Sequence, residues 1–190
     1  MDQTALKEWL HEPRLKLTEA IVAGLEQHLK SLETAEQPFY GYSILLGERF
    51  SPGELVGVTN REEDLEVEAD DPMYTYYRYN VDEWQQWDHE QFTDANRLLA
   101  ALDLEFKSKH QRQGNEFIFD EIEHLYADLI LEAILQGMVA AKAQGLFGKD
   151  ERFLVIWIAG SPGEITIQSL KTLNSPKVVK AFIEEFGEDF

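Results

Sequence analysis

The chain contains no cysteine, which excludes disulfide staples and thiolate-held metal as sources of stability and suits a reducing compartment. It is also poor in cations: 17 lysines and arginines stand against 36 aspartates and glutamates, a formal net charge of −19. Phosphate backbones and anionic lipid headgroups are repelled by such a surface, so neither nucleic acid nor membrane is expected as a partner, and a cationic protein is. Long apolar runs are missing too. The longest, 153–160, is far short of the roughly 20 residues that cross a bilayer as a helix, and reads as a buried strand. The opening Met1-Asp2-Gln3-Thr4-Ala5-Leu6-Lys7-Glu8 has no basic start leading into an apolar run, so no secretory signal is read and a cytoplasmic location is expected. A Gly-x-Ser-x-Gly elbow, a Gly-rich phosphate loop ending in Lys-Ser/Thr and a His-Glu-x-x-His motif are all lacking. No catalytic residue, cofactor site or metal site is therefore assigned.

What is present is enough for a folded core. A hydrophobic content of 44% with 12% aromatics separates the chain from disordered acidic sequences, so the acidity is carried by a folded surface. With 190 residues and no repeat or low-complexity linker, one domain over 1–190 is expected.

Periodicity places the elements. Over 14–33, Leu17, Ile21, Leu25, Leu29 and Leu32 recur at helical spacing, and Pro13 is read as separating this helix from a shorter one before it. Residues 39–46 and 55–59 read as two strands of a hairpin around the turn Ser51-Pro52-Gly53. Asn60 is read as the N-cap of a short acidic helical segment, and 73–79, rich in tyrosine, as a strand. Asp82-Glu83-Trp84 opens a helical turn. Residues 92–109 and 116–144 read as helices, the second the longest in the chain and stopped by Gly145. Residues 111–115 are a polar connector, 153–159 a strand, 160–163 a turn and 165–170 another strand. Ser175-Pro176 supplies a cap and a first-turn proline for a last helix. The sum is an α+β fold: a mostly antiparallel sheet of about four to five strands packed by helices, with a long helix in the second half.

Charge and aromatics coincide in one segment. Residues 60–90 hold about eleven acids and two cations, roughly half of the excess negative charge, together with Tyr74, Tyr76, Tyr77, Tyr79, Trp84 and Trp87. Carboxylates steer a cationic protein surface into encounter and amphipathic rings supply contact area. The candidate partner-binding residues are Asp70, Asp71, Asp82, Glu83 and Asp88 as steering charges, with Tyr76, Trp84 and Trp87 as anchors. As a strand, the segment would put Tyr74, Tyr76 and Arg78 on one face and Thr75, Tyr77 and Tyr79 on the other, with one set packed in the core.

Other clusters read as ordinary surface. Glu8-x-x-His11 and Glu121-x-x-His124 have the spacing of di-metal carboxylate bundles, but those need two further long helices. Glu121, His124 and Asp128 instead read as a solvated flank. His89, between Asp88 and Glu90, has a carboxylate neighbour but no paired nucleophile. The basic run 107–112 reads as a helix C-terminus favoured by the dipole.

Four segments resemble a family of small bacterial proteins grouped as a domain of unknown function, some of them encoded near polymorphic-toxin cassettes. They are Phe39-Tyr40-Gly41-Tyr42, Val58-Thr59-Asn60-Arg61-Glu62-Glu63, Tyr77-Arg78-Tyr79-Asn80-Val81-Asp82-Glu83-Trp84 and Leu173-Asn174-Ser175-Pro176. The resemblance implies lineage and fold, transfers no catalytic residue, and implies an immunity-type or other protein-binding role. The expected function is a non-enzymatic module that occludes a basic protein partner. The alternatives are a hydrolase or metal-dependent enzyme with a His/carboxylate site assembled only in the fold, and a structural or regulatory homo-oligomer.

Overall fold

The computed structural model describes residues 1–47, 54–110, 119–149, 151–160 and 163–187. The turn expected at 51–53, the connector at 111–115 and part of the turn at 160–163 lie outside them.

Helix α1, Gln3–Thr34, begins at Asp2, whose carboxylate accepts from the Ala5 amide at 2.9 Å. It runs through Pro13 without a break, so the expected pair of N-terminal helices is one helix of 32 residues. Proline inside a helix costs about 3 kcal/mol through its lost N–H and ring clash. Here an unbroken buried stripe of Leu6, Leu10, Leu17, Ile21, Leu25, Leu29 and Leu32 holds both halves to one core. This helix, and not the one in the second half, is the longest.

Strands β1, Gly41–Leu46, and β2, Val56–Asn60, form the expected antiparallel hairpin, with Gly41 opposite Asn60 and Leu45 opposite Val56. A 3-10 turn over Glu62–Asp64 follows. Asn60 does not cap it: the side chain is buried at the end of β2 and donates to the Tyr40 hydroxyl at 2.7 Å. Next comes α2, Tyr74–Tyr79, where a strand was expected. Tyrosine favours strands only as far as it finds a pleated surface to pack on. Helical spacing instead brings Tyr76 against Phe186, Tyr79 against Phe153 and Phe182, and Arg78 back to the Tyr74 hydroxyl.

A second 3-10 turn, Val81–Glu83, leads into the short strand β3, Gln86–Asp88, paired antiparallel with β2. Helices α3, Thr93–Lys109, and α4, Glu121–Ala143, lie within the spans that periodicity placed, α4 starting at its Asp120 cap and the expected start at 116–118 lying outside the described residues. Asp120 and Glu123 form a reciprocal capping box at the start of α4, and Gly145 takes φ +77° just past its end. Strand β4, Phe153–Ile158, pairs parallel with β1. The segment expected as a further strand is α5, Glu164–Leu173: its buried Ile165, Thr166, Ser169, Leu170 and Leu173 follow a helical period. Helix α6, Pro176–Phe186, starts at the Ser175 cap with proline in its first turn, as expected.

The sheet is four-stranded in the order β3-β2-β1-β4. It is mixed, with one parallel pairing, instead of mostly antiparallel. The fold class is α+β as read. Alternation along the strands sends Tyr42, Ile44, Leu46, Leu154 and Ile156 to one face, under α1, α3 and α4. Leu45, Val56, Val58, Phe153, Val155 and Trp157 go to the other, under the 81–84 turn and α6. Both faces of the sheet are thus covered. Helix α4 has the length and mean hydropathy, 1.2, of a membrane-crossing helix, but half of that window is buried in the fold, chiefly against α1.

Candidate functional site

The acidic segment, 60–90, wraps the β2–β3 side of the sheet as two 3-10 turns, α2 and β3. Its two cations are both spent internally. Arg61 binds Glu63 at 2.7 Å and Asp64 at 2.7 and 2.8 Å. Those hydrogen bonds hold the Asp64 carboxyl below its ordinary range. Arg78 forms a fork to Glu62 through two bonds of 2.8 Å. Burial works against its charge, and the hydrogen bonds and charge of Glu62 outweigh burial, so the guanidinium is held more firmly protonated than usual. Among the described residues no lysine, arginine or histidine ion-pairs with Glu66, Glu68, Asp70, Asp71, Asp82, Glu83, Asp88 or Glu90.

Of the expected steering charges, Asp70, Asp71, Asp82 and Glu83 are exposed and Asp88 is half-buried. Asp71 accepts from the Met73 amide at 2.8 Å, fixing the turn into α2. Asp88 accepts from the amides of Glu90 and Gln91, both at 3.0 Å, so part of its role is to shape that turn. Tyr76 is half-buried and its hydroxyl lies 3.3 Å from Glu83 Oε1, which brings an expected anchor and an expected charge together. Trp87 is 47% exposed, with its indole N–H donated to the Trp84 carbonyl at 2.6 Å. Trp84 itself is 2% exposed, packed edge-on against Tyr40 and Phe153. It is a core residue, which removes it from the expected surface anchors. Met73, at 45% exposure, is the apolar residue of this surface that sequence reading passed over.

The tyrosine run also builds something that the strand reading could not show. The Arg78 guanidinium stacks 4.0 Å above the Tyr40 ring and donates to the Tyr74 hydroxyl at 2.9 Å. The Tyr40 hydroxyl donates to the Arg78 carbonyl at 3.0 Å and accepts from Asn60. Burial raises the Tyr40 phenol above its ordinary range. Tyr40, Tyr74 and Arg78 wall a cavity of about 310 Å³ together with Tyr79, Glu151 and Lys177. Ser175, the cap of α6, hydrogen-bonds Glu151. Gly41 is required nearby, because a Cβ there would lie 2.4 Å from the Trp84 ring. The four segments singled out by resemblance therefore meet in one place, and the bonds they make there are structural.

The profile described as Domain of unknown function (DUF4303) matches residues 17–175. The chain belongs to the DUF4303 family. The DUF4303 match covers the whole sheet, with nearly half of α1 and all of α6 outside it. No curated protein and no solved structure matches the chain.

The remaining sequence candidates do not assemble into a site: His89 lies within the acidic segment, and the Glu121, His124 and Asp128 group lies on α4. His89 is exposed, with Nδ1 at 3.3 Å from Glu54. Glu121, His124 and Asp128 are exposed on one flank of α4. No group of three or more His, Cys, Asp or Glu among the described residues is arranged to hold a metal ion.

Proposed function

We propose that this DUF4303 chain is a cytoplasmic, non-enzymatic protein-binding module, an immunity-type inhibitor that covers a basic surface of another protein. The reading rests on one observation: the 60–90 segment consumes both of its own cations internally and leaves eight carboxylates without an ion-pair partner among the described residues, beside exposed Trp87 and Met73. Field lines from unpaired carboxylates accelerate encounter with a cationic surface. An exposed indole already held by its N–H then supplies contact area at little cost in rotamer freedom. The resemblance to proteins encoded near polymorphic-toxin cassettes supplies the class of partner, a short basic toxin domain.

The probe is the basic C-terminal domain encoded by the adjacent open reading frame. A one-to-one complex is expected, with an association rate that falls as salt rises. Replacing Asp70, Asp82 and Glu83 by their amides, which leaves the turn-forming Asp71 and Asp88 intact, is expected to slow association about tenfold at low salt while dissociation changes little. A neighbouring gene set without such a domain, absence of a complex, or association unmoved by the amides overturns the reading.

A further inference from the structure

Between α3 and α4, away from the acidic segment, lies a cleft of about 290 Å³ with a different chemistry. Its floor is aromatic. Phe106 and Tyr126 stack with centroids 4.0 Å apart and planes 5° from parallel, and Trp9 backs both rings at 6.5 and 6.4 Å. Phe119, 51% exposed, stands at the lip, edge-on to His124. An exposed phenylalanine beside a preformed apolar floor is surface that a flat ligand would remove from water.

Polar groups complete the site. Tyr126 is 3% exposed, and its hydroxyl has no hydrogen-bond partner among the described residues. A buried hydroxyl without a partner is costly unless a ligand or an ordered water meets it. Burial, helped by the charge of Asp103, raises this phenol above its ordinary range and keeps it a neutral O–H donor. Asp103 and Asp128 both line the cleft, and the one lysine there, Lys107, is already bonded to Asp103 at 2.5 Å. The balance of charge in the cleft is negative.

We propose that this cleft binds a small aryl-alkyl amine, its ring on Phe106 and Tyr126, its ammonium at Asp103 and Asp128, and an acceptor atom at the Tyr126 hydroxyl. The cleft is small, near the lower end of ligand-site volumes, which suits one ring with a short chain. The proposal does not depend on the protein-docking surface.

The test titrates tyramine, and separately tyrosol, its neutral alcohol counterpart, into the full chain and follows both by NMR shifts. Saturable one-site binding of tyramine is expected, with tyrosol about tenfold weaker because it lacks the charge-assisted bond. Asp128→Asn, on an exposed helix position, is expected to narrow that ratio to about twofold. Tyr126→Phe keeps the ring stack and is expected to weaken both ligands several-fold. The Asp70, Asp82 and Glu83 amide variant is expected to leave tyramine binding unchanged, which separates failure here from failure of the docking reading. No saturable shift, equal affinity for amine and alcohol, or shifts spread over 60–90 instead of the cleft overturns the proposal.

Discussion

His28 shows how much one buried side chain can decide. It is 3% exposed, its Nδ1 lies 2.8 Å from the Tyr42 hydroxyl, and a Cβ at Gly57 would sit 2.4 Å from that same nitrogen. Burial lowers the imidazole pKa below its ordinary value, with the charge of Asp88 opposing only in part, and burial raises the Tyr42 phenol. The phenol therefore keeps its proton beside a neutral ring, and the two share one hydrogen bond. Protonating His28 would place a positive charge in this buried site, at the cost of its desolvation. The unfolded chain takes up this proton near pH 6.5 and the folded chain only at lower pH. Stability contributed by neutral His28 is thus complete above that value and is lost as pH falls from it towards the depressed folded pKa. Urea midpoints measured from pH 7.5 down to 5.5 are expected to fall, and His28→Gln to flatten that slope about its acidic limb. The pair was invisible in the sequence because nothing local links positions 28 and 42; among the five histidines, no neighbour marks this one as buried.

At the scale of elements, the outer edge of β4 illustrates how strands are terminated. The Leu154 amide donates to Asn174 Oδ1 at 2.8 Å, Asn174 Nδ2 donates back to the Leu154 carbonyl at 2.6 Å, and the Ile156 amide donates to Ser169 Oγ at 2.9 Å. Two side chains, one from α5 and one just after it, stand in for a fifth strand and leave these backbone groups satisfied. Asn96 of α3 does the same at Leu55, accepting at 2.7 Å and donating at 3.1 Å. Asn174→Ala is expected to cost about 2 kcal/mol, since it strands a buried amide and a carbonyl together. Chemical denaturation measures the loss, and faster hydrogen exchange at the Leu154 amide locates it. Helical periods over long apolar stripes were legible: Leu17 to Leu32 in α1 and Leu99, Leu102 and Phe106 in α3 are all buried. Short segments were not. Residues 74–79 and 165–170 carry residues that suit strands, and only the positions of Phe182, Phe186 and the β4 edge make helices of them.

The molecule as a whole carries −19 formal charges, and self-repulsion at that density opposes the compact state. Raising salt from a few millimolar to about 0.15 M shortens the Debye length to about 8 Å. The thermal midpoint is expected to rise with it, most in the wild-type chain and less in the Asp70, Asp82 and Glu83 amide variant; a midpoint indifferent to salt would show that the carboxylates are too far apart to repel. Composition by itself determined that the surface is acidic, that no disulfide contributes, and that long amphipathic helices flank short strands, because those properties depend on residue counts and on periods within one element. Tertiary structure alone decided that Pro13 is carried through a helix, that β1 and β4 run parallel, that Trp84 goes to the core while Trp87 stays out, and that Tyr126, lining a cleft, has a hydroxyl unmet among the described residues. Each of these follows from what a residue meets across the sheet or from a neighbouring helix, and residues distant in the chain exert no influence on one another until packing brings them within a few ångströms.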